Sequence, residues 1–137
     1  MGSVLVIEDE KGILGLIEAA LTHFGHQVET AQDGKEGIRK YDRGRFDVVI
    51  TDYIMPEVDG QGVVKHIRGS ERGWTPVVGM SGTPWLMQEA GFDLVLIKPF
   101  PLNKIVDAVQ RLCADVALPE AVSRRPAEGP VMQPASL

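Results

Sequence analysis

The sequence alternates between short apolar runs and longer segments in which apolar residues recur every three or four positions. An uninterrupted run of aliphatic and β-branched residues is typical of a strand buried on both faces of a parallel sheet. Four such runs occur, at Val4–Ile7, Val48–Ile50, Val77–Val78 and Leu94–Ile97. A fifth segment, Gln27–Ala31, alternates polar and apolar residues and therefore predicts a half-exposed edge strand.

Between these runs, apolar residues recur at the spacing of a helix face. The face predicted for the first helix consists of Ile13, Ile17, Leu21 and Phe24. A second helix is predicted to begin after Asp33, because Glu36 three residues later completes the pattern of a capping box. Asp59 is placed to cap a third helix. The inward residues of that helix are predicted to be Val63, Val64 and Ile67.

The last two predicted helices differ in length. Thr83-Pro84 predicts an N-cap and a first helical position, but Gly91 follows within about two turns, so this fourth helix must be short. The last helix has a long apolar stripe made of Leu102, Ile105, Val106, Val109, Leu112 and Cys113. Five strand–helix units in this order predict an α/β fold, in which a doubly wound, five-stranded parallel sheet has helices on both faces.

The alternation ends near residue 116, which predicts one domain over residues 1–116. A chain of 137 residues with 44% hydrophobic residues has the size and composition of one ordinary globular domain. Residues 117–137 contain Pro119, Pro126, Pro130 and Pro134 and one basic pair. We therefore predict that residues 117–137 form a flexible tail or a linker; a partner-binding segment is the alternative.

Composition excludes several classes of function. The 14 basic and 19 acidic residues give a net charge of −5, which argues against direct binding to nucleic acid. The one cysteine excludes an internal disulfide and is typical of a reducing cytoplasm. No apolar run approaches the ~20 residues of a membrane span, and the N-terminal segment has no features of a secretory signal. We therefore expect a cytoplasmic protein that does not contact a membrane.

Polar residues follow four of the predicted strands, at the edge where ligands bind in open α/β sheets. These residues are Glu8 and Asp9 after the first strand, Asp52 after the third, Ser81 after the fourth and Lys98 after the fifth. The three carboxylates and one ammonium sum to a charge of −2, and like charges ~4 Å apart repel by several kcal/mol. A divalent cation would cancel that charge, and an all-oxygen ligand set with room for water favours Mg²⁺.

A site of this composition is suited to phosphoryl transfer. Lys98 could hold one phosphate oxygen, the Ser81 hydroxyl could donate to another, and a free oxygen of Asp52 could attack phosphorus in line. The competing interpretation is structural. In that interpretation, Asp9 or Glu10 only favours the dipole of the first helix, and Lys98 is a surface residue.

The ordered set of motifs around these residues resembles the receiver domain of bacterial two-component response regulators, the CheY-like family. The matching motifs, which fall within residues 3–116, are Val4–Glu10, Asp47–Asp52, Met55–Gly60, Met80–Gly82 and Lys98–Phe100. The resemblance implies a flavodoxin-like fold. It also implies a signalling domain that takes a phosphoryl group from a sensor histidine kinase or a histidine phosphotransfer protein, rather than a separate enzyme.

The resemblance assigns a role to each candidate residue. Asp52 would be the phosphoacceptor, and Mg²⁺ would be held by Glu8, Asp9, Asp52 and the backbone carbonyl of Ile54. Ser81 would be the switch hydroxyl that moves to contact the phosphate. Lys98 would pair with the phosphate. The resemblance further implies a cis peptide bond between that lysine and the following proline.

Two features depart from the family pattern. Many members have an aromatic residue three positions before the lysine, where this chain has Val95. The segment between Ser81 and Lys98 is also several residues shorter than usual, so we expect the output surface to differ. Trp85 lies in this segment and is expected to pack over the sheet edge; the alternative is that it replaces the missing aromatic residue.

Several alternatives remain at this point. The expected switch would change binding to an unknown downstream protein, as a monomer or a weak homodimer. The chain could equally be a module of a larger response regulator or hybrid kinase, or a docking module that is never phosphorylated. A haloacid dehalogenase-like phosphatase is disfavoured because Ile54 stands where its second acid is required.

The three histidines, His23, His26 and His66, are expected to be surface residues without carboxylate partners.

Overall fold

The computed structural model describes residues 2–84 and 91–117. Within them, the predicted alternation of strands and helices is confirmed. The elements are β1 (Ser3–Ile7), α1 (Lys11–His23), β2 (Gln27–Ala31), α2 (Gly34–Arg43), β3 (Val48–Asp52), α3 (Gly60–Arg68), β4 (Val77–Ser81), β5 (Leu94–Ile97) and α4 (Leu102–Ala117). The short helix expected between Thr83 and Gly91 lies mostly outside the described residues. Trp85 and the tail beyond residue 117 also lie outside them, and the domain boundary at residue 116 stays a prediction.

The five strands form one parallel sheet in the order β2-β1-β3-β4-β5. β2 lies on one side of β1, whereas β3, β4 and β5 follow one another on the other side. The point where the direction reverses, between β1 and β3, is where open α/β sheets leave a crevice at their carboxyl ends. Ile7 lies opposite Thr51 there, which brings the residues that follow β1 close to the end of β3.

Side chains of successive residues in the central strands alternate between the two faces of the sheet, and each face has its own hydrophobic core. Leu5, Ile7 and Val49 pack on one face with residues of α2 and α3 such as Tyr41 and Ile67. The opposite face is covered by α1 and α4. Its buried residues include Val4, Val6, Ile50, Ile17, Leu21, Ile105 and Val109. Burying each large aliphatic side chain contributes about 1.5–3 kcal/mol, so both layers hold the central strands in place.

Two expectations about the edges of these cores were wrong. β5 was expected to be buried on both faces, but it is an edge strand, and its last residue, Ile97, is 53% exposed. Phe24 was expected on the inner face of α1 and is 53% exposed. Because α1 ends at His23, Phe24 is the C-cap residue and no longer follows the helix face. Leu14 is buried instead, together with Ile17 and Leu21.

The predicted helix caps are confirmed at two helices. Asp33 Oδ1 accepts the backbone N–H of Glu36 at 2.7 Å, and Glu36 Oε1 accepts the N–H of Gln32 at 2.9 Å. Asp59 Oδ1 accepts the N–H of Gly62 at 3.0 Å and so begins α3. Each cap contributes about 1 kcal/mol. Asp59 also fixes where the loop after β3 ends, close to the carboxyl edge of the sheet.

The expectation that all three histidines lie on the surface without carboxylate partners was wrong for two of them. His66 Nε2 lies 2.7 Å from Asp42 Oδ1. His26 is only 5% exposed, and its Nδ1 accepts the backbone N–H of Gly2 at 3.0 Å. Burial of the ring lowers the pKa of His26 below its ordinary value. The fold therefore holds His26 in its neutral form.

The buried His26 predicts that acid weakens the fold. The unfolded chain binds a proton on this residue near pH ~6.5, whereas the folded chain resists protonation until a lower pH. Stability contributed by neutral His26 is therefore present above the unfolded pKa and decreases as pH falls below it. We expect the wild type to lose more unfolding free energy than His26→Gln between about pH 7.5 and pH 5.5 in urea titrations. If the unfolding free energies of the wild type and His26→Gln changed equally with pH, the stabilising role of neutral His26 would be contradicted.

Candidate functional site

Three carboxylates meet beyond the carboxyl ends of β1 and β3. Side-chain oxygens of Glu8, Asp9 and Asp52 all lie within 4.8 Å of one another. Glu8 is 1% exposed and Asp52 is 8% exposed, whereas Asp9 faces solvent. The cluster therefore has a buried side formed by two acids and an open side at the third.

Backbone groups hold the two buried acids in place. Glu8 Oε2 accepts the N–H of Glu10 at 3.1 Å, and Asp52 Oδ1 accepts the N–H of Tyr53 at 2.9 Å. The Glu8 N–H also donates to Ala31 O at 3.0 Å, which extends the pairing of β1 with β2 by one residue. These bonds fix the direction in which each carboxylate points.

Lys98 connects the two buried acids from the end of β5. Its Nζ lies 3.2 Å from Glu8 Oε1 and 3.2 Å from Asp52 Oδ1. The expected cis peptide bond between Lys98 and Pro99 is present. Lys98 is thus an ion-pair partner rather than a free surface residue. Glu10 is the N-cap residue of α1, but its side chain makes no capping hydrogen bond there.

The charges in this cluster do not balance. Burial, and then the charge of Asp52, raise the pKa of Glu8 to about 7. Burial also raises the pKa of Asp52, in spite of the nearby Lys98 ammonium. Burial alone would lower the pKa of Lys98, but the carboxylates of Asp52 and Glu8 raise it. One ammonium therefore faces three acids, two of them desolvated.

A magnesium ion fits this donor set. Every side-chain donor is a carboxylate oxygen, the ligand type that Mg²⁺ prefers, and the exposed Asp9 leaves a side open to water. A divalent cation would also supply the positive charge that the two desolvated acids lack. Ile54 has an exposed side chain, and the role of its carbonyl oxygen stays a prediction.

Ser81 is the last residue of β4, and its backbone lies next to that of Lys98. The Lys98 N–H donates to Ser81 O at 2.9 Å, and the Ser81 side chain is buried. Within the described residues, the Ser81 hydroxyl bonds to neither Asp52 nor Lys98. Its contacts are with Thr83, a residue that the sequence pattern marked only as a helix cap. The sequence signal for the backbone part of this contact is Ser81 itself, because a serine hydroxyl can close a turn by accepting the N–H two residues on.

The position of Asp52 depends on a close approach by α3. A Cβ added at Gly60 would lie 2.6 Å from Asp52 O and 2.8 Å from Tyr53 Cα, so only glycine fits there. The Gly60 N–H donates to Tyr53 O at 2.7 Å. The first residue of α3 is thereby fixed directly against the backbone that carries Asp52.

Comparison with known proteins identifies the family to which this fold belongs. The family model described as the response regulator receiver domain matches residues 4–110. This chain belongs to that family. The resemblance inferred from the motifs is thus confirmed, as is the doubly wound, five-stranded parallel sheet of CheY-like, flavodoxin-like receivers.

Individual relatives cover the receiver region. The transcriptional regulatory protein TcrA of Mycobacterium tuberculosis is 32% identical over 139 residues, which cover 98% of this chain and 49% of TcrA. The chain spans about half the length of the curated relatives it matches.

Solved structures agree with this fold. The receiver domain of the sensor histidine kinase PA1611 from Pseudomonas aeruginosa, with a magnesium ion coordinated in its active site cleft, is 28% identical. It has a TM-score of 0.77 and covers 82% of this chain and 98% of that one. The response regulator TrrA from Thermotoga maritima, in complex with Mg²⁺ and BeF, is 26% identical. Its TM-score is 0.75, with coverage of 82% and 99%.

Val95 stands where many members of the family have an aromatic residue. It is partly buried and packs against the core on the α2–α3 side.

In the described part of the chain, none of the helices has the length and apolar character needed to cross a bilayer.

Removing the exposed acid tests the magnesium site. We expect Asp9→Asn to weaken Mg²⁺ binding by on the order of tenfold or more, because it removes one charge and one carboxylate from the cluster. Asp107→Asn, at an exposed position of α4, is the matched control and should bind like the wild type. Calorimetric Mg²⁺ titrations check this. Equal Mg²⁺ affinity in the wild type and both variants would show that Asp9 does not contribute to a magnesium site.

Filling the contact at Gly60 tests how Asp52 is positioned. We expect Gly60→Ala to lower the free energy of unfolding by about 1–3 kcal/mol and to weaken Mg²⁺ binding, since the backbone of Asp52 must move. Gly15→Ala is the control. A Cβ there meets nothing within 4 Å in the part of the chain that the structure describes, so this change in α1 should stabilise the fold by about 0.5–1 kcal/mol. Urea unfolding and Mg²⁺ titration measure both effects, and normal Mg²⁺ binding by Gly60→Ala would refute the positioning role.

Proposed function

We propose that this receiver is a phosphorylation-dependent switch in which Asp52 accepts a phosphoryl group with the help of Mg²⁺. The observation that carries the proposal is the convergence of Asp52, Glu8, Asp9 and Lys98 at one point of the sheet edge. The donor is a phosphohistidine on a sensor histidine kinase or a histidine phosphotransfer protein. Mg²⁺, when bound by Glu8, Asp9 and Asp52, would neutralise the charge that builds up on the phosphoryl oxygens.

The contacts of Asp52 suggest which atom reacts. Lys98 Nζ and the Tyr53 N–H both engage Oδ1, so we assign Oδ2 as the nucleophile. Oδ2 attacks phosphorus and forms a new O–P bond while the P–N bond of the phosphohistidine breaks. The bond electrons return to the departing imidazole, which then takes up a proton. Positioning and charge neutralisation account for most of the catalysis in such a transfer.

The other site residues respond to the new phosphoryl group. Lys98 is already beside Asp52 and can exchange its carboxylate contact for a phosphoryl oxygen. Ser81 donates its hydroxyl proton to another phosphoryl oxygen, which draws the end of β4 toward the site. To shift a two-state balance from 1:99 to 99:1, such contacts must supply about 5.5 kcal/mol in total.

The output of the switch passes to a downstream protein or to a further part of a longer chain. The half-length match to TcrA supports the idea that receivers of this kind also occur within larger regulators. We assign no separate enzymatic turnover to this chain beyond phosphoryl uptake and its reversal by hydrolysis. The switch is proposed to act as a monomer or weak homodimer in the cytoplasm, and it needs no direct contact with nucleic acid.

Phosphoryl uptake by Asp52 can be tested directly. We expect Asp52→Asn to lose labelling by radiolabelled acetyl phosphate in Mg²⁺, because its amide cannot form the acyl phosphate. Asp107→Asn should label like the wild type, and both variants should keep the fold by circular dichroism. Labelling of Asp52→Asn would overturn the assignment. A wild type that takes up no label from acetyl phosphate or from a kinase would instead favour a docking module that is never phosphorylated.

A further inference from the structure

The Ser81 hydroxyl is enclosed by groups of Thr83. Ser81 Oγ accepts the backbone N–H of Thr83 at 2.8 Å and lies 3.1 Å from Thr83 Oγ1. Ser81 is 2% exposed, and a buried hydroxyl needs hydrogen-bond partners. Within the described residues, Thr83 provides all the partners of this hydroxyl. The resting orientation of Ser81 therefore depends on Thr83.

The burial of the two residues favours one of the two hydroxyls as the donor. A hydroxyl has one proton to donate. If Thr83 donated to Ser81, the Ser81 proton would have no acceptor among the described residues, and burying an unpaired donor is costly. Thr83 is only partly buried, so its own proton can reach water. Either hydroxyl has the geometry to donate, and this difference in burial favours Ser81 as the donor and Thr83 Oγ1 as the acceptor.

We propose that the Thr83 side chain is a positioning group that holds the Ser81 hydroxyl proton away from Asp52 until a phosphoryl oxygen displaces it. The proposal rests on the proposed function of Asp52 and adds a resting-state latch to the same site. The latch consists of the Ser81 hydroxyl and Thr83 Oγ1. It opposes activation, because the bond between them must break before Ser81 can donate to the phosphoryl group.

Gly82 lies between the two hydroxyl residues of the latch. Among the described residues, a Cβ added at Gly82 would meet nothing within 4 Å. Packing of the described residues against Gly82 therefore does not hold this turn, and the hydrogen bonds to Thr83 orient Ser81. Exchange of one acceptor for another is enough to redirect the Ser81 proton.

Removing the acceptor while keeping the shape of the side chain tests the latch. The probe is beryllofluoride with Mg²⁺, which stands in for a phosphoryl group on Asp52. We expect Thr83→Val to bind the probe about fivefold more tightly than the wild type, because the resting Ser81 proton loses its acceptor. Thr83→Ser keeps the acceptor and should restore the wild-type affinity. Affinities are measured by NMR titration.

A second background separates the latch from a general structural effect. In Ser81→Ala, the replacement of Thr83 by Val should change the affinity for beryllofluoride by less than about twofold, because there is no proton left to hold. Equal affinity of Thr83→Val and the wild type would overturn the latch, and so would a gain that persists with Ala at position 81. A wild type that binds no beryllofluoride would refute the proposed function itself, and the latch with it.

Discussion

The desolvation of two carboxylates against one ammonium is the constraint on which this site depends. Glu8 and Asp52 are almost completely buried, and each lies 3.2 Å from Lys98 Nζ. Burial raises the pKa of both acids, and for Glu8 the charge of Asp52 adds to the effect. Such a deficit of positive charge favours a divalent cation in the site. In the proposed switch, that cation would in turn favour the binding of a phosphoryl group.

The fold is what makes such an unfavourable cluster persist. Glu8 and Lys98 are 90 residues apart in the chain, and they meet because parallel strands end at the same edge of the sheet. The apolar layers on the two faces provide the stability that offsets the repulsion between the acids. The close contact of Gly60 with the backbone of Asp52 couples the position of this residue to that of α3. In the proposed switch, the contacts that hold the site would also carry its signal outward.

Much of this architecture was predictable from the sequence, because strand and helix periodicity and the polar residues at strand ends are local signals. The convergence of Glu8, Asp52 and Lys98 followed from the parallel sheet alone. The exposure of Phe24 did not, because it depends on where α1 ends. The contact between the hydroxyls of Ser81 and Thr83 depends on side-chain rotation within one turn, which residue pattern does not encode.

Phosphorylation of Asp52 is tested most directly by locating the modified residue after reaction with acetyl phosphate in Mg²⁺. Borohydride reduction converts an aspartyl phosphate to homoserine, and peptide mass spectrometry then identifies the position. We expect homoserine at Asp52, and unmodified acids at Glu8 and Asp9. Modification at either of those two acids, with Asp52 unchanged, would contradict this expectation.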